Sequence, residues 1–238
     1  MPETIGVDEI IGAAGKGDLE RVARMLDADP TLAGAANMFG AQAVHAAHFG
    51  GHPAVVELLL SRGVELNAFL AADLGMLDRL QSAVTADPQQ VRAFSPAGST
   101  LLHRACYWGQ TETVGYLLQQ GSDANAATRD SFLQIRPLGC AVATPNVPNP
   151  SDDEHVVQEL VRLLLAHGAE INGRRRDGLT ALHGAAYRGH IRVIALLLEN
   201  GADAGIRGYE DSGPHASQTP ADVAAAQGQQ AAYSLLNQ

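Results

Sequence analysis

The chain has 238 residues, 46% apolar, 18% charged and only 5% aromatic. That suffices for a sizeable core, built by close approach of small residues rather than by large rings. The net charge of −10 argues against a nucleic-acid partner, which calls for a basic stripe to neutralise phosphates. No apolar run reaches the roughly 20 residues of a membrane span. The opening MPETIGVDEIIGAAGKGD has neither a basic n-region nor an unbroken apolar stretch, so neither a membrane anchor nor a signal peptide is expected. Two cysteines, Cys106 and Cys140, make no disulfide framework and fit a reducing cytoplasm. Fifteen arginines against one lysine, with abundant Ala and Gly, read as a GC-rich, bacterial-type coding bias.

In chain order, the first element is DEIIGAAGKGDLERVARMLDADP from Asp8, followed by QAVHAAHFGGHPAVVELLLSRGVELN from Gln42. Next comes AFLAADLGMLDRLQSAVTADPQQV, whose helix is expected directly after Asn67 with no hairpin before it. It repeats the first element at an offset of 58, with Ala13, Ala14, Gly17 and Pro30 returning as Ala71, Ala72, Gly75 and Pro88. TLLHRACYWGQTETVGYLLQQGSDAN follows from Thr100, then RPLGCAV and ELVRLLLAHGAEIN, separated by the Pro/Asn/Asp-rich insert TPNVPNPSDDE. The last two are TALHGAAYRGHIRVIALLLENGAD from Thr180 and TPADVAAAQGQQAAYSLL from Thr219.

The elements from Gln42, Thr100 and Thr180 share one frame: [VL]-H, small residues, a turn on Gly, then an LLL-type run ending in Gly. This resembles the ankyrin repeat, a unit of about 33 residues with a TPLHxA signature. The resemblance covers nearly the whole chain. It implies an all-α solenoid of stacked helix-turn-helix units, about seven with degenerate and capping ones, in one domain over 1–238. Approximate units are 7–36, 37–67, 68–94, 95–125, 126–172 with an insert at 144–154, 173–205 and 206–238. Within a unit, the Thr100 hydroxyl can cap the first helix, and Gly121 permits the left-handed turn that ends the second. Since no unit buries its face alone, the outer faces of the terminal units should be polar.

Nine histidines invite a metal or catalytic reading. His45, His48 and His52 fall at i, i+3 and i+7, and His103 precedes Cys106 by three with Cys140 in the next unit; such spacing can gather ligands. The repeat frame accounts for most of them. The resemblance implies that His45, His103 and His183 hydrogen-bond backbone and join adjacent loops, and that His52 and His190 follow the inter-helix turn. Only His48, in place of an alanine, has no role in the frame. No GxSxG, Walker loop or dinucleotide fingerprint occurs. Ser151 and Glu154 read as a capping box. No catalytic residues, cofactor or metal are expected.

The resemblance implies that fingers and first helices line a concave binding face. The column before the inter-helix turn runs Gly15, Phe49, Asp73, Tyr107, Ala143, Tyr187, Ala226, rich in rings for a chain so poor in them. Trp108 adjoins Tyr107. The finger GRRRDG brings Arg174, Arg175 and Arg176 near Tyr187 and Arg188, and Met38, Phe39, Phe132, Leu133 and Ile135 add apolar finger residues. Aromatic and Arg side chains are favoured interface anchors. The reading is therefore a monomeric, cytoplasmic, non-catalytic module for a protein partner. It binds through Phe39, Phe49, Tyr107, Trp108 and Tyr187, with Arg175, Arg176 and Arg188 as charge partners. Two alternatives stay open: a small-molecule or metal-binding protein with its groove near His48, Tyr107 and Trp108, or an enzyme or regulatory subunit using the insert as a lid.

Overall fold

The repeated frame folds as fourteen α-helices among the described residues of a computed structural model, which are 3–37, 41–130, 133–143, 154–210 and 215–237. They form seven consecutive pairs. These are α1 (Glu3–Gly15) with α2 (Leu19–Ala28), α3 (Ala43–Phe49) with α4 (Pro53–Ser61), α5 (Ala68–Asp73) with α6 (Leu77–Ala86), and α7 (Leu101–Tyr107) with α8 (Thr111–Gln119). Then come α9 (Pro137–Val142) with α10 (Glu154–Ala166), α11 (Ala181–Arg188) with α12 (Ile191–Glu199), and α13 (Pro220–Ala226) with α14 (Gln230–Leu236). First helices pack on first helices, with α1 on α3, α5 on α7, α7 on α9, α9 on α11 and α11 on α13, and second on second, with α2 on α4, α8 on α10, α10 on α12 and α12 on α14. The result is the helical solenoid implied by the repeats.

Local chemistry sets the boundaries. Thr100 accepts from the His103 amide, and the His103 ring returns to the Thr100 amide at 3.2 Å, a reciprocal box that satisfies two orphan donors. Thr180 with His183 and Thr219 with Asp222 repeat the arrangement. Gly109 and Gly189 sit at φ 74° and 69° in the turns between paired helices, a backbone region that penalises any Cβ. Asp29 and Asp87 each cap a short 3-10 turn that opens on Pro30 and Pro88, so the recurrence at offset 58 is structural.

The fingers are narrow hairpins between pairs. Phe94 bridges Thr100, Ala36 bridges Gln42, and Arg175 donates to the Leu179 carbonyl at 2.9 Å. Successive fingers join through one backbone bond each: Arg129 N–H to Gly98 O at 2.8 Å, Arg176 N–H to Leu133 O at 2.8 Å and Tyr209 N–H to Asp177 O at 3.0 Å. The third pair has none, because Asn67 already caps α5 by accepting from the Leu70 amide. In the following finger the joining donor, the residue after Ser95, is Pro96. Proline has no N–H, so the finger facing the gap leaves no donor unpaired.

The apolar core divides at the same place. One cluster holds α1–α4 with Leu70 and Leu74, and another runs from Ala68, Ala71 and Ala72 to Ala232. The break lies within α5, the short helix of the pair without a finger.

Candidate functional site

The surface formed by first helices and fingers carries the candidate site, and its geometry begins with the signature histidines. His103 and His183 accept at Nδ1 from the amides of Thr100 and Thr180, which leaves the proton on Nε2. Each Nε2–H then donates to a carbonyl of the next finger, Ile135 O at 3.1 Å and Gln218 O at 3.2 Å. Burial pushes both imidazoles below their ordinary pKa, His183 to about 4. They are neutral struts between fingers.

His45 has the same Nδ1 bond, from the Gln42 amide at 3.3 Å, but no finger follows it. Its Nε2–H donates instead to Asp73 Oδ2 at 3.1 Å. The Asp73 carboxylate is fully buried and is held by the Arg104 guanidinium, with Nε 2.6 Å from Oδ1 and a second bond to Oδ2. Gln110 Nε2 donates to the Asp73 carbonyl at 2.8 Å. The position expected to carry a surface side chain thus carries the acid that replaces a missing carbonyl. His48 lies beside this joint, its ring edge-on to Phe49, and burial lowers its pKa.

Trp108, expected as a surface anchor, lies inside this joint at 5% exposure. Its ring stacks on His45 (centroids 4.7 Å apart, 11° between planes) and on Phe49 (5.1 Å, 16°), with Tyr107 edge-on at 5.3 Å. The physical reason is space. The short α5 ends at Asp73, and the indole reaches past it to the rings of α3. Phe49 and Tyr107 are half-buried parts of the same stack. With Trp108 buried against His45, Phe49 and Tyr107 and His48 edge-on to Phe49, rings pack together where a groove was expected near His48, Tyr107 and Trp108.

A cavity of about 500 Å³ opens further along the same surface, lined among others by Tyr107, Ile135, Ala143, Arg175, Tyr187 and His215. Ala143 follows α9, which packs between α7 and α11, so this small residue of the column lies between the two tyrosines. Tyr187 is 40% exposed and meets His215 edge-on at 5.9 Å. Arg175 reaches this cavity but is held in a bidentate pair with Asp177 of its own finger, and the guanidinium keeps that carboxyl below the ordinary range despite its partial burial. Arg176 is exposed beside it, and Arg188 is half-buried at the end of α11. A second cavity of about 390 Å³ occupies the finger gap, with Asp73, Pro96 and Arg104 among its walls.

Phe39, Met38, Phe132 and the insert from Thr144 to Asp153, including the Ser151 half of the expected capping box, lie outside the described residues. Glu154, the other half, instead accepts from the Arg192 amide at 2.6 Å and its Nε at 2.9 Å. No cluster of three or more His, Cys, Asp or Glu with metal-binding geometry occurs among the described residues, nor a helix long and apolar enough to cross a membrane. The sequence left Arg104 and Pro96 unassigned and placed Asp73 only as a member of the surface column. Only Pro96 carried a usable signal, since superposing the fingers puts it where the others have a donor.

The stacked pairs, bridging histidines and fingers define a helical-repeat binding scaffold. Family models of ankyrin repeats match residues 10–128, in three copies, and residues 157–198, and the chain belongs to the ankyrin-repeat family. It is similar to the mouse serine/threonine-protein kinase TNNI3K, 33% identical over 125 residues (52% of this chain, 13% of the kinase). It is also similar to the mouse B-cell lymphoma 3 protein homolog, 30% identical over 138 residues (58% of this chain, 28% of that protein). The rice probable E3 ubiquitin-protein ligase XBOS32 is 28% identical over 213 residues, 82% of this chain and 38% of the ligase. The chain thus spans well under half the length of these relatives. All three come from mouse or rice, and the bacterial-type reading of the composition finds no support among them.

Proposed function

We propose that the chain is a non-catalytic module that holds a protein partner on its first-helix and finger surface, the concave face of the family. The cavity between Tyr107 and Tyr187 is the anchor point. The observation that carries this is the position of Ala143: a methyl between two large rings leaves a hollow of about 500 Å³, within the size range of binding clefts and roomy enough for a large side chain with its neighbours. Phe49, Tyr107, Tyr187, Arg176 and Arg188 form its contact surface, extended toward Phe39, with Arg175 braced by Asp177 at the rim and Trp108 supporting Tyr107 from behind. The bridged fingers preorganise that surface, so little ordering entropy opposes docking. The relatives include a kinase and a ubiquitin ligase by name, which agrees with a scaffold joined to other activities. Two buried free thiols suit a monomer in the cytoplasm.

The test is capture from cell extract by the native chain and by an Ala143→Trp variant with unchanged helical circular dichroism. The indole fills the hollow without removing any buried contact. Proteins retained by the native chain and lost by the variant are the expected result. Equal retention would move the interface off this surface.

A further inference from the structure

The charge of the chain is unevenly placed. Segments 93–109, 126–143 and 171–189, which supply the fingers and first helices around the cavity, carry seven arginines and two aspartates. Their net charge is +5 in a chain of −10, so the remainder carries −15. Three of the seven are compensated: Arg104 by Asp73, Arg136 by Glu170 at 3.5 Å and Arg175 by Asp177.

Two others rest on neutral partners. The Arg129 guanidinium lies 3.8 Å above the Phe94 ring, and Arg174 lies 5.5 Å from the Tyr209 ring and donates to the Arg207 carbonyl at 3.3 Å. Both side chains are exposed, one on each of two neighbouring fingers. A guanidinium held over a ring is restrained in orientation, and the N–H groups of Arg129 and those of Arg174 beyond the one on Arg207 O can take a carboxylate by paired hydrogen bonds. The fingers bearing them are bridged, since Arg136 Nη1 of one donates to Arg174 O of the other at 2.6 Å.

Resting on the reading of the cavity as an anchor point, we propose that the partner presents a short acidic peptide segment. One large apolar or aromatic side chain enters the hollow at Ala143, and flanking Asp or Glu residues meet Arg129 and Arg174. Charge complementarity selects this occupant. A nucleic acid would carry its phosphates beyond the three segments, and the rest of the chain, with a net charge of −15, repels them. A short peptide keeps its carboxylates within the positive patch.

The experiment is selection of displayed random short peptides on the full chain, followed by anisotropy titrations of labelled winners. The native chain, Ala143→Trp and the double variant Arg129→Gln/Arg174→Gln are compared. The expected winners carry an aromatic or large aliphatic residue beside two or more acids. Their affinity falls roughly tenfold in the double variant and again from low to high salt, and is abolished by Ala143→Trp. Neutral or basic winners indifferent to the arginine variant but lost with Ala143→Trp would overturn the acidic partner and leave the anchor reading standing. Winners indifferent to Ala143→Trp would overturn both. No enrichment would overturn the short linear segment, with extract capture still deciding the wider reading. Tighter binding of polyuridylate than of any peptide, lost in the arginine variant, would assign the patch to nucleic acid and overturn the proposal.

Discussion

His45 Nε2 lies 3.1 Å from Asp73 Oδ2, where the equivalent atoms of His103 and His183 meet a finger carbonyl. A side chain thus stands in for absent backbone, and its charge is offset by Arg104. Removing one member of a buried ion pair strands the other, typically at about 3–5 kcal/mol. Arg104 is one-third exposed, which places Asp73→Ala at the lower end, about 3 kcal/mol. Urea unfolding followed by circular dichroism measures the loss. Asp73→Asn, which keeps the acceptor for His45, should cost less; equal losses would show that the pairing with Arg104 carries the whole effect and the acceptor for His45 none of it.

The indole of Trp108 reports on that joint. At 5% exposure between two rings its emission should be blue-shifted and protected from iodide in the native chain. Asp73→Ala should red-shift it before the far-ultraviolet signal changes. Trp108→Ala should cost about 3–5 kcal/mol. A native emission maximum like that of free tryptophan would contradict the burial.

Acid should loosen the second half of the molecule. The His183 imidazole is driven by burial to a pKa of about 4 in the folded chain, from an ordinary 6.5. Between those values the unfolded chain binds the proton and the folded one does not, so stability falls as pH drops. The contribution is complete above pH 6.5 and gone near pH 4. The two values correspond to a loss of about 3 kcal/mol. His183→Gln should flatten this slope in thermal melts taken across the window, and a native-state titration of the ring near 6.5 would refute the account.

The thiols should be silent. Cys106 and Cys140 are buried, and loss of solvation raises both, Cys140 to about 12. A thiolate is the reactive species. Ellman's reagent should therefore find almost no thiol in the native chain and two per chain in denaturant. Rapid native labelling would mean that the pairs open readily.

The fold was legible because the repeat constrains it at every level: a Thr cap, small first-helix residues, a glycine turn and a leucine run recur together. The surface was legible in part. Tyr187 and Tyr107, which their column marked as contact rings, border a cavity, but Trp108 did not follow its neighbour. Adjacent positions at a helix end point in different directions, and the space the indole fills is created by a short helix more than thirty residues away. The Asp73–Arg104 pair was hidden for the same reason: each reads as an ordinary surface charge until the missing finger brings them together. Arg175 looked available to a partner because its bond to Asp177 depends on the curl of the finger, which composition does not encode.

The absent finger is recorded at three positions in two units: Asp73 substitutes for its carbonyl, and in the next unit Pro96 withholds the donor it would have received and Trp108 fills the room beside it. Repeat arrays usually lengthen and shorten by copying or losing one unit. Here a copy of the third unit placed elsewhere would bring a buried acid with no arginine, and its loss would leave Pro96 facing a finger it cannot bond. The stretch from His45 to Gln110 can therefore be inherited only as a block, a fixed segment within an otherwise modular chain.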